Sequence, residues 1–350
     1  MNFYLKDILS QAQELKKAMD HYQSRASLEK LRKIAQLKPQ KVVFSGMGSS
    51  HFCAIGASIH LKQHGIENEV ISTGELLHYE SEILKEDTLL VLISQSGESV
   101  EIVRLIEKLP KNITVVAITN KIPSTLSERG DFVFDIHVSQ EKSVTTRTYL
   151  GSTILVQIIA ETLRQGDTSK VFEELKETVQ NMSEYLKSYE KHMDELRLFM
   201  KEMQYLCLMG RGYALETVRS GSLFMREVLR FPALDFDCAE FRHGPMEMVQ
   251  SDFHAIVLAP SGKTQELNIN MANDIAQKKG KVVLITDKKA DTNSLDRMAN
   301  VLVIRLPVIE ERFSSILQIV PIQLLANGLA EERNIPVGEF RWGSKVMEIE

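Results

Sequence analysis

The chain has 350 residues, 43% hydrophobic and 25% charged, with a formal net charge of −5. That length exceeds what one compact core usually holds, so two domains are expected, and the composition is that of an ordinary globular protein. The acidic balance argues against nucleic acid as the main partner and leaves any anionic ligand to be held by local donors.

Residues 1–38 form an N-terminal helical segment. Met1 to Lys17 is charged and helical in pattern, which does not fit a signal peptide, and no apolar run approaches a transmembrane span. No membrane partner is expected. Cys53, Cys207 and Cys238 are odd in number, far apart and without a Cys-x-x-Cys pair. They point to a reducing cytoplasm without a disulfide framework.

The next stretch alternates short apolar strands with amphipathic helices. Strands are expected over 41–45, 69–72, 88–94, 114–119 and 132–136, and helices near 50–65, 99–109 and 148–164. β-branched strands without clean alternation suit a parallel sheet covered on both faces, joined by right-handed crossovers. Ligands bind such sheets at the carboxyl ends of the strands. Two polar turns fall there.

The first turn is Gly46-Met47-Gly48-Ser49-Ser50. It is not G-x-G-x-x-G, because position 51 is His, so a dinucleotide site is not indicated. Either the small residues serve close packing there, or Ser49 and Ser50 donate to a sugar or phosphate. The second turn, Ser94-Gln95-Ser96-Gly97-Glu98-Ser99, follows the apolar run 89–93. One serine suffices to cap a helix. Ser94, Gln95, Ser96 and Ser99 together exceed that need and read as a phosphate cradle at a helix N-terminus. With no lysine and no acid pair in the turn, a phosphate monoester fits better than a nucleoside triphosphate.

The second half repeats the first. Gly46-Met47-Gly48 corresponds to Gly210-Arg211-Gly212, Ser96 to Ser261, Val115–Asn120 to Val282–Asp287 and Gln157 to Gln323, at an offset of about 165 residues. The boundary falls near 183–188, inside the charged helical stretch 167–203, giving domains 39–183 and 184–350. Pro260 and Lys263 replace Gln95 and Glu98, so the second turn reads as degenerate.

Glu240-Phe241-Arg242-His243-Gly244-Pro245 puts a proline at the first position of a helix, with His243 in the turn before it. On spacing alone, a structural surface histidine is the alternative for His243, while Glu227 defaults to a solvated helix glutamate and Lys345 to a surface lysine.

In this order and on two repeats, Gly-x-Gly-Ser-Ser, Ser-Gln-Ser-Gly-Glu-Ser and Glu-Phe-Arg-His-Gly-Pro resemble the double SIS (sugar isomerase) family, over roughly residues 41–350. The resemblance takes in the isomerase half of glucosamine-6-phosphate synthase, glucosamine-6-phosphate deaminases and fructosamine-6-phosphate deglycases. It implies two tandem SIS domains, each a three-layer αβα sandwich on a five-stranded parallel, flavodoxin-like sheet. By position, Ser94, Gln95, Ser96 and Ser99 would hold the 6-phosphate, and Ser49, Ser50 and Thr145 would lie near the sugar. Glu227 would move a proton between C1 and C2, and His243 would open the ring from a neighbouring subunit of a homodimer or larger oligomer. Ser344-Lys345 matches the family's Ala-Lys, whose lysine contacts the open-chain carbonyl and can form a Schiff base.

Two departures stand out. Phe224 occupies the position of the synthase's second lysine, and the chain starts Met1-Asn2 rather than with the cysteine nucleophile of a glutaminase. The expected activity is aldose–ketose isomerisation of an amino-substituted 6-phosphosugar coupled to release of ammonia or an amine, with no cofactor and no metal. Isomerisation alone, or a non-catalytic phosphosugar sensor, are the alternatives. A sensor has no need of Glu227 and His243 together.

Overall fold

A computed structural model describes residues 1–142, 144–292, 294–337, 340–342 and 344–347. The last residues of the expected second domain, 348–350, therefore lie outside the described residues. By contacts the chain forms two units: Ser10–Glu177 with Phe340–Glu350, and Met1–Leu9 with Thr178–Glu339. Sequence order groups the C-terminal tail with the second repeat; its contacts are with the first.

In the first-repeat unit the strands are β1 (Lys41–Gly46), β2 (Asn68–Ser72), β3 (Thr88–Ile93), β4 (Thr114–Thr119) and β5 (Phe132–Asp135). They form one parallel sheet in the order β2-β1-β3-β4-β5. In the second-repeat unit β6 (Leu206–Gly210), β7 (Ala233–Asp237), β8 (His254–Ala259), β9 (Lys281–Asp287) and β10 (Val301–Leu306) form a parallel sheet ordered β10-β9-β8-β6-β7. This is the same topology twice, as the repeat in the sequence requires.

The central strands β3 and β8 are buried along their whole length. On β3, Leu90 and Leu92 join Ile102 and Leu105 of helix Val100–Lys108 in one apolar cluster. Leu89, Val91 and Ile93 are equally buried, and alternation turns them to the other face. A strand covered on both faces has no polar side to show, which explains its continuous apolar run.

Two sequence expectations need correction. The helix expected near 50–65 is two helices, Ser49–Phe52 and Ile55–Gln63. At the break the ladder slips to a three-residue bond from Ala54 N–H to His51 C=O at 3.4 Å. Secondly, residues 311–332 are long and apolar enough, by length and composition, to cross a membrane, and their most apolar stretch of 18 residues is 100% buried. Its helix, Ser314–Glu332, packs against helices Ala214–Val228 and Tyr189–Met200. A helix apolar all round and enclosed by its own unit is a core helix.

Candidate functional site

The turn after β3 is held open by its own hydroxyls. Ser94 Oγ accepts the Gly97 N–H at 3.1 Å, and Ser96 Oγ accepts the Glu98 N–H at 3.1 Å. Both serines still have a hydroxyl proton to donate. Gly97 sits at φ +66°, where a Cβ would also lie 2.7 Å from Ser124 Cβ. Glu98 is bound away from its neighbours: its carboxylate accepts the Thr125 N–H at 3.1 Å and the Thr125 hydroxyl at 2.8 Å. Burial pushes its pKa up, but these bonds and Lys121 outweigh that and hold it below the ordinary carboxylate value.

Helix Val100–Lys108 starts one residue later than the expected 99–109. Ser99 is its N-cap in extended conformation, yet its side chain makes no capping bond. The capping explanation for this serine therefore fails on geometry. The Val100 N–H donates instead to the carbonyl of Met347 at 3.0 Å, which brings the C-terminal tail against the same helix start.

The turn after β1 lies beside this one. Gly46 pairs with Ile93 in the sheet register, and a Cβ on Gly46 would stand 2.8 Å from Ile93 O and 2.7 Å from Ser50 O. The glycine is needed for that close approach. Gly48, at φ +52°, turns the chain into helix Ser49–Phe52. Ser49 is buried with its hydroxyl unpartnered among the described residues, and Ser50 is half-buried. Strands β1 and β3 are where the strand order reverses, the usual place for a ligand crevice in an open α/β sheet.

A third group centres on Glu141, which sequence reasoning missed. Its buried carboxylate accepts the N–H groups of Thr146 (2.8 Å), Arg147 (2.6 Å) and Thr148 (3.2 Å). It also accepts the hydroxyls of Thr146 (2.9 Å) and Thr148 (2.6 Å). It thereby satisfies the start of helix Arg147–Leu163. Lys345 Nζ completes the set at 3.2 Å. Burial pushes the Glu141 pKa up, but Lys345, then the Thr148 hydroxyl and the Thr146 N–H, outweigh it and hold the carboxyl below its ordinary value. Thr145 joins through Thr148, hydroxyl to hydroxyl at 2.5 Å. Ser344 is exposed, its hydroxyl turned back to the Val346 carbonyl.

The second-repeat unit holds Glu227 and His243. Glu227 is half-buried near the end of helix Ala214–Val228, which leads into β7. His243 is exposed beyond the other end of β7, after helix Cys238–Arg242, whose N-terminus Asp237 caps. Pro245 opens a short 3-10 helix, Pro245–Met248, after Gly244 at φ +129°. Edge strand β7 lies between them in the chain, with the helix carrying Glu227 before its start and His243 beyond its end. The five residues of that strand span about 17 Å at about 3.3 Å each.

At the second-repeat turn, Ser261 Oγ donates to the buried carboxylate of Asp287 at 2.8 Å. Burial raises the Asp287 pKa, but Ser261 and the Lys289 N–H hold it lower. A phosphate here would meet a like charge.

The SIS domain model matches residues 35–160 and 200–330. Among curated proteins the chain is 26% identical over 337 residues to a glutamine–fructose-6-phosphate aminotransferase [isomerizing] of Pyrococcus horikoshii, covering 94% of this chain and 54% of that protein. The chain thus spans about half the length of the curated relatives it matches. In structure it is similar to the C-terminal domain of glucosamine-fructose-6-phosphate aminotransferase from Francisella tularensis, with TM-score 0.85, 19% identity, and 97% and 98% of the two chains covered. It is also similar to glucosamine-6-phosphate deaminase from Thermotoga maritima, with TM-score 0.80, 21% identity, and 99% of each chain covered.

Proposed function

From the premise that this chain belongs to the SIS domain family, we propose that it is an enzyme acting on an amino-substituted 6-phosphosugar, coupling aldose–ketose isomerisation to release of ammonia or an amine. The observation that carries this reading is the β3 turn. Ser94 and Ser96 shape it while keeping protons to donate, and the Ser99 hydroxyl at a helix N-terminus is not spent on capping. Such donors suit one phosphate group.

With the phosphate anchored, the open-chain sugar presents C1 and C2 to Glu227. For a 2-amino aldose phosphate, the carboxylate takes the C2 proton and returns it to C1. The resulting C2 imine is hydrolysed by water to a ketose and ammonia. For a 1-amino ketose phosphate the proton moves from C1 to C2, and water releases an aldose and the amine. Carboxylate-mediated proton transfer of this kind contributes about 10²–10⁴-fold, and positioning supplies more. Lys345, beside Glu141, contacts the open-chain carbonyl. His243 opens the ring in a neighbouring subunit of a homodimer or larger oligomer. That Glu227 precedes the start of β7 and His243 follows its end supports this division between subunits.

Isomerisation without amine release is the second reading. It is favoured by Phe224, which is fully buried and apolar one helical turn before Glu227. The deciding experiment measures ammonia, amine and aldose–ketose interconversion over a panel containing glucosamine 6-phosphate and fructosamine 6-phosphates. Amine release supports the first reading and interconversion alone the second. Binding without turnover of any sugar would overturn both in favour of a sensor.

A further inference from the structure

A separate polar cluster sits at the end of β5, an edge strand two places from β3. The His21 and His137 rings stack with centroids 4.1 Å apart and planes 9° apart. Asp135 accepts the His137 N–H at 2.8 Å on one oxygen, and its other oxygen lies 3.3 Å from His137 Nδ1. One donor atom from each of His21, Asp135 and His137 falls within 4.8 Å of the others.

The backbone spends energy on this arrangement. His137 has φ +58°, a left-handed conformation that residues with a Cβ seldom adopt. Beside the cluster lies a cavity of about 560 Å³ lined by His21, Asp135, Lys30, Ser27 and Glu128, among others. Lys30 is the adverse charge, but its ammonium is already committed to the Val133 carbonyl at 2.6 Å. Glu128 on the same wall offsets it.

We propose that His21, Asp135 and His137 form a binding site for one divalent transition-metal ion of the zinc type, with a cavity water completing four-coordination. Two imidazoles and a carboxylate are a donor set that suits zinc and its neighbours; magnesium and calcium prefer oxygen alone. An ion about 2.0–2.1 Å from each donor requires donors about 3.3 Å apart. Turning the His137 ring closes the present gap, and that side chain is 45% exposed and free to swing. The ion would replace the His137–Asp135 hydrogen bond. The ion would pin the end of helix Phe3–Tyr22 to the end of β5, next to the existing bond from the Tyr22 hydroxyl to the Ile136 carbonyl. It takes no part in the sugar chemistry.

The test uses the full chain, stripped with a chelator and dialysed. Zinc chloride is titrated calorimetrically, and cobalt(II) chloride is titrated with a visible spectrum. One equivalent per chain should bind tighter than about 0.1 mM, with a tetrahedral cobalt band, and zinc should raise the thermal midpoint. His137→Asn suits the left-handed backbone and stays folded. It and His21→Gln should each weaken binding at least about tenfold and remove both the cobalt band and the thermal shift. Binding weaker than about 0.1 mM to the unmodified chain, or undiminished binding in both variants, would overturn the proposal.

Discussion

Ser99 and Ser96 separate binding from folding in one turn. Ser99 caps helix Val100–Lys108 by backbone conformation only, without a side-chain bond. Ser99→Ala therefore removes nothing the folded chain uses, and the unfolding free energy should stay within about 0.5 kcal/mol. In the proposed function its hydroxyl donates to the phosphate. Losing a hydrogen bond to a charged group costs about 1.5–3 kcal/mol, or roughly 10–150-fold in Kd for a 6-phosphosugar. Ser96→Ala should weaken binding by the same amount but also leave the Glu98 N–H without its acceptor. Glu98 is half-exposed, so water offsets part of that loss and the stability cost should be about 1 kcal/mol. Calorimetric titration with glucosamine 6-phosphate, alongside urea unfolding, measures both quantities. A Ser99→Ala protein with unchanged Kd, or one as destabilised as Ser96→Ala, would refute this division of labour. So would equal affinity of the unmodified protein for glucose and glucose 6-phosphate.

Glu141→Gln removes the carboxylate that Lys345 and the start of helix Arg147–Leu163 share, and should cost about 3 kcal/mol of stability near neutral pH. Because the folded carboxyl is held below its ordinary value of 4.5, its contribution is fully present above that pH and is lost as pH falls through the lowered folded value. The Glu141→Gln stability curve should therefore be flatter in the acid range; an identical acid dependence in the two proteins would show that Glu141 carries none of it. For the shared site, mixing inactive Glu227→Gln with inactive His243→Ala chains should restore part of the activity, since some hybrid sites regain both groups. No recovery despite demonstrated subunit exchange would place both groups in one chain's site.

Much of the fold was legible because the repeat carries its own check. An offset of about 165 residues between Gly-x-Gly turns, apolar strands and buried glutamines has a single economical meaning, and the two sheets share one strand order. β4 falls at Thr114–Thr119 as its β-branched run suggested. The polar turn after β3 was legible as an excess of hydroxyls over capping needs, though which of them shape the turn and which stay uncommitted needed coordinates. Glu141 was not legible: it lies 204 positions from Lys345, and no local pattern announces an ion pair across that distance. The only local hint was an acid shortly before Thr145-Thr146-Arg147-Thr148, whose donors it satisfies. His21 and Asp135 are likewise far apart in sequence. Composition alone also cannot separate a core helix from a membrane-spanning one, which is why Ser314–Glu332 needed its burial to be understood.

The central claim is that Glu227 moves a proton between the first two carbons of an anchored phosphosugar. Glu227→Gln keeps the shape of the side chain and removes its basicity. Because the phosphate is gripped elsewhere, substrate affinity should change by less than about threefold, while turnover should fall by about 10² or more. In deuterated water the unmodified enzyme should place deuterium at C1 or C2 of the sugar, and the Glu227→Gln protein should place almost none. Normal turnover with normal deuterium incorporation in Glu227→Gln would contradict the account and move the base to His243 or Lys345.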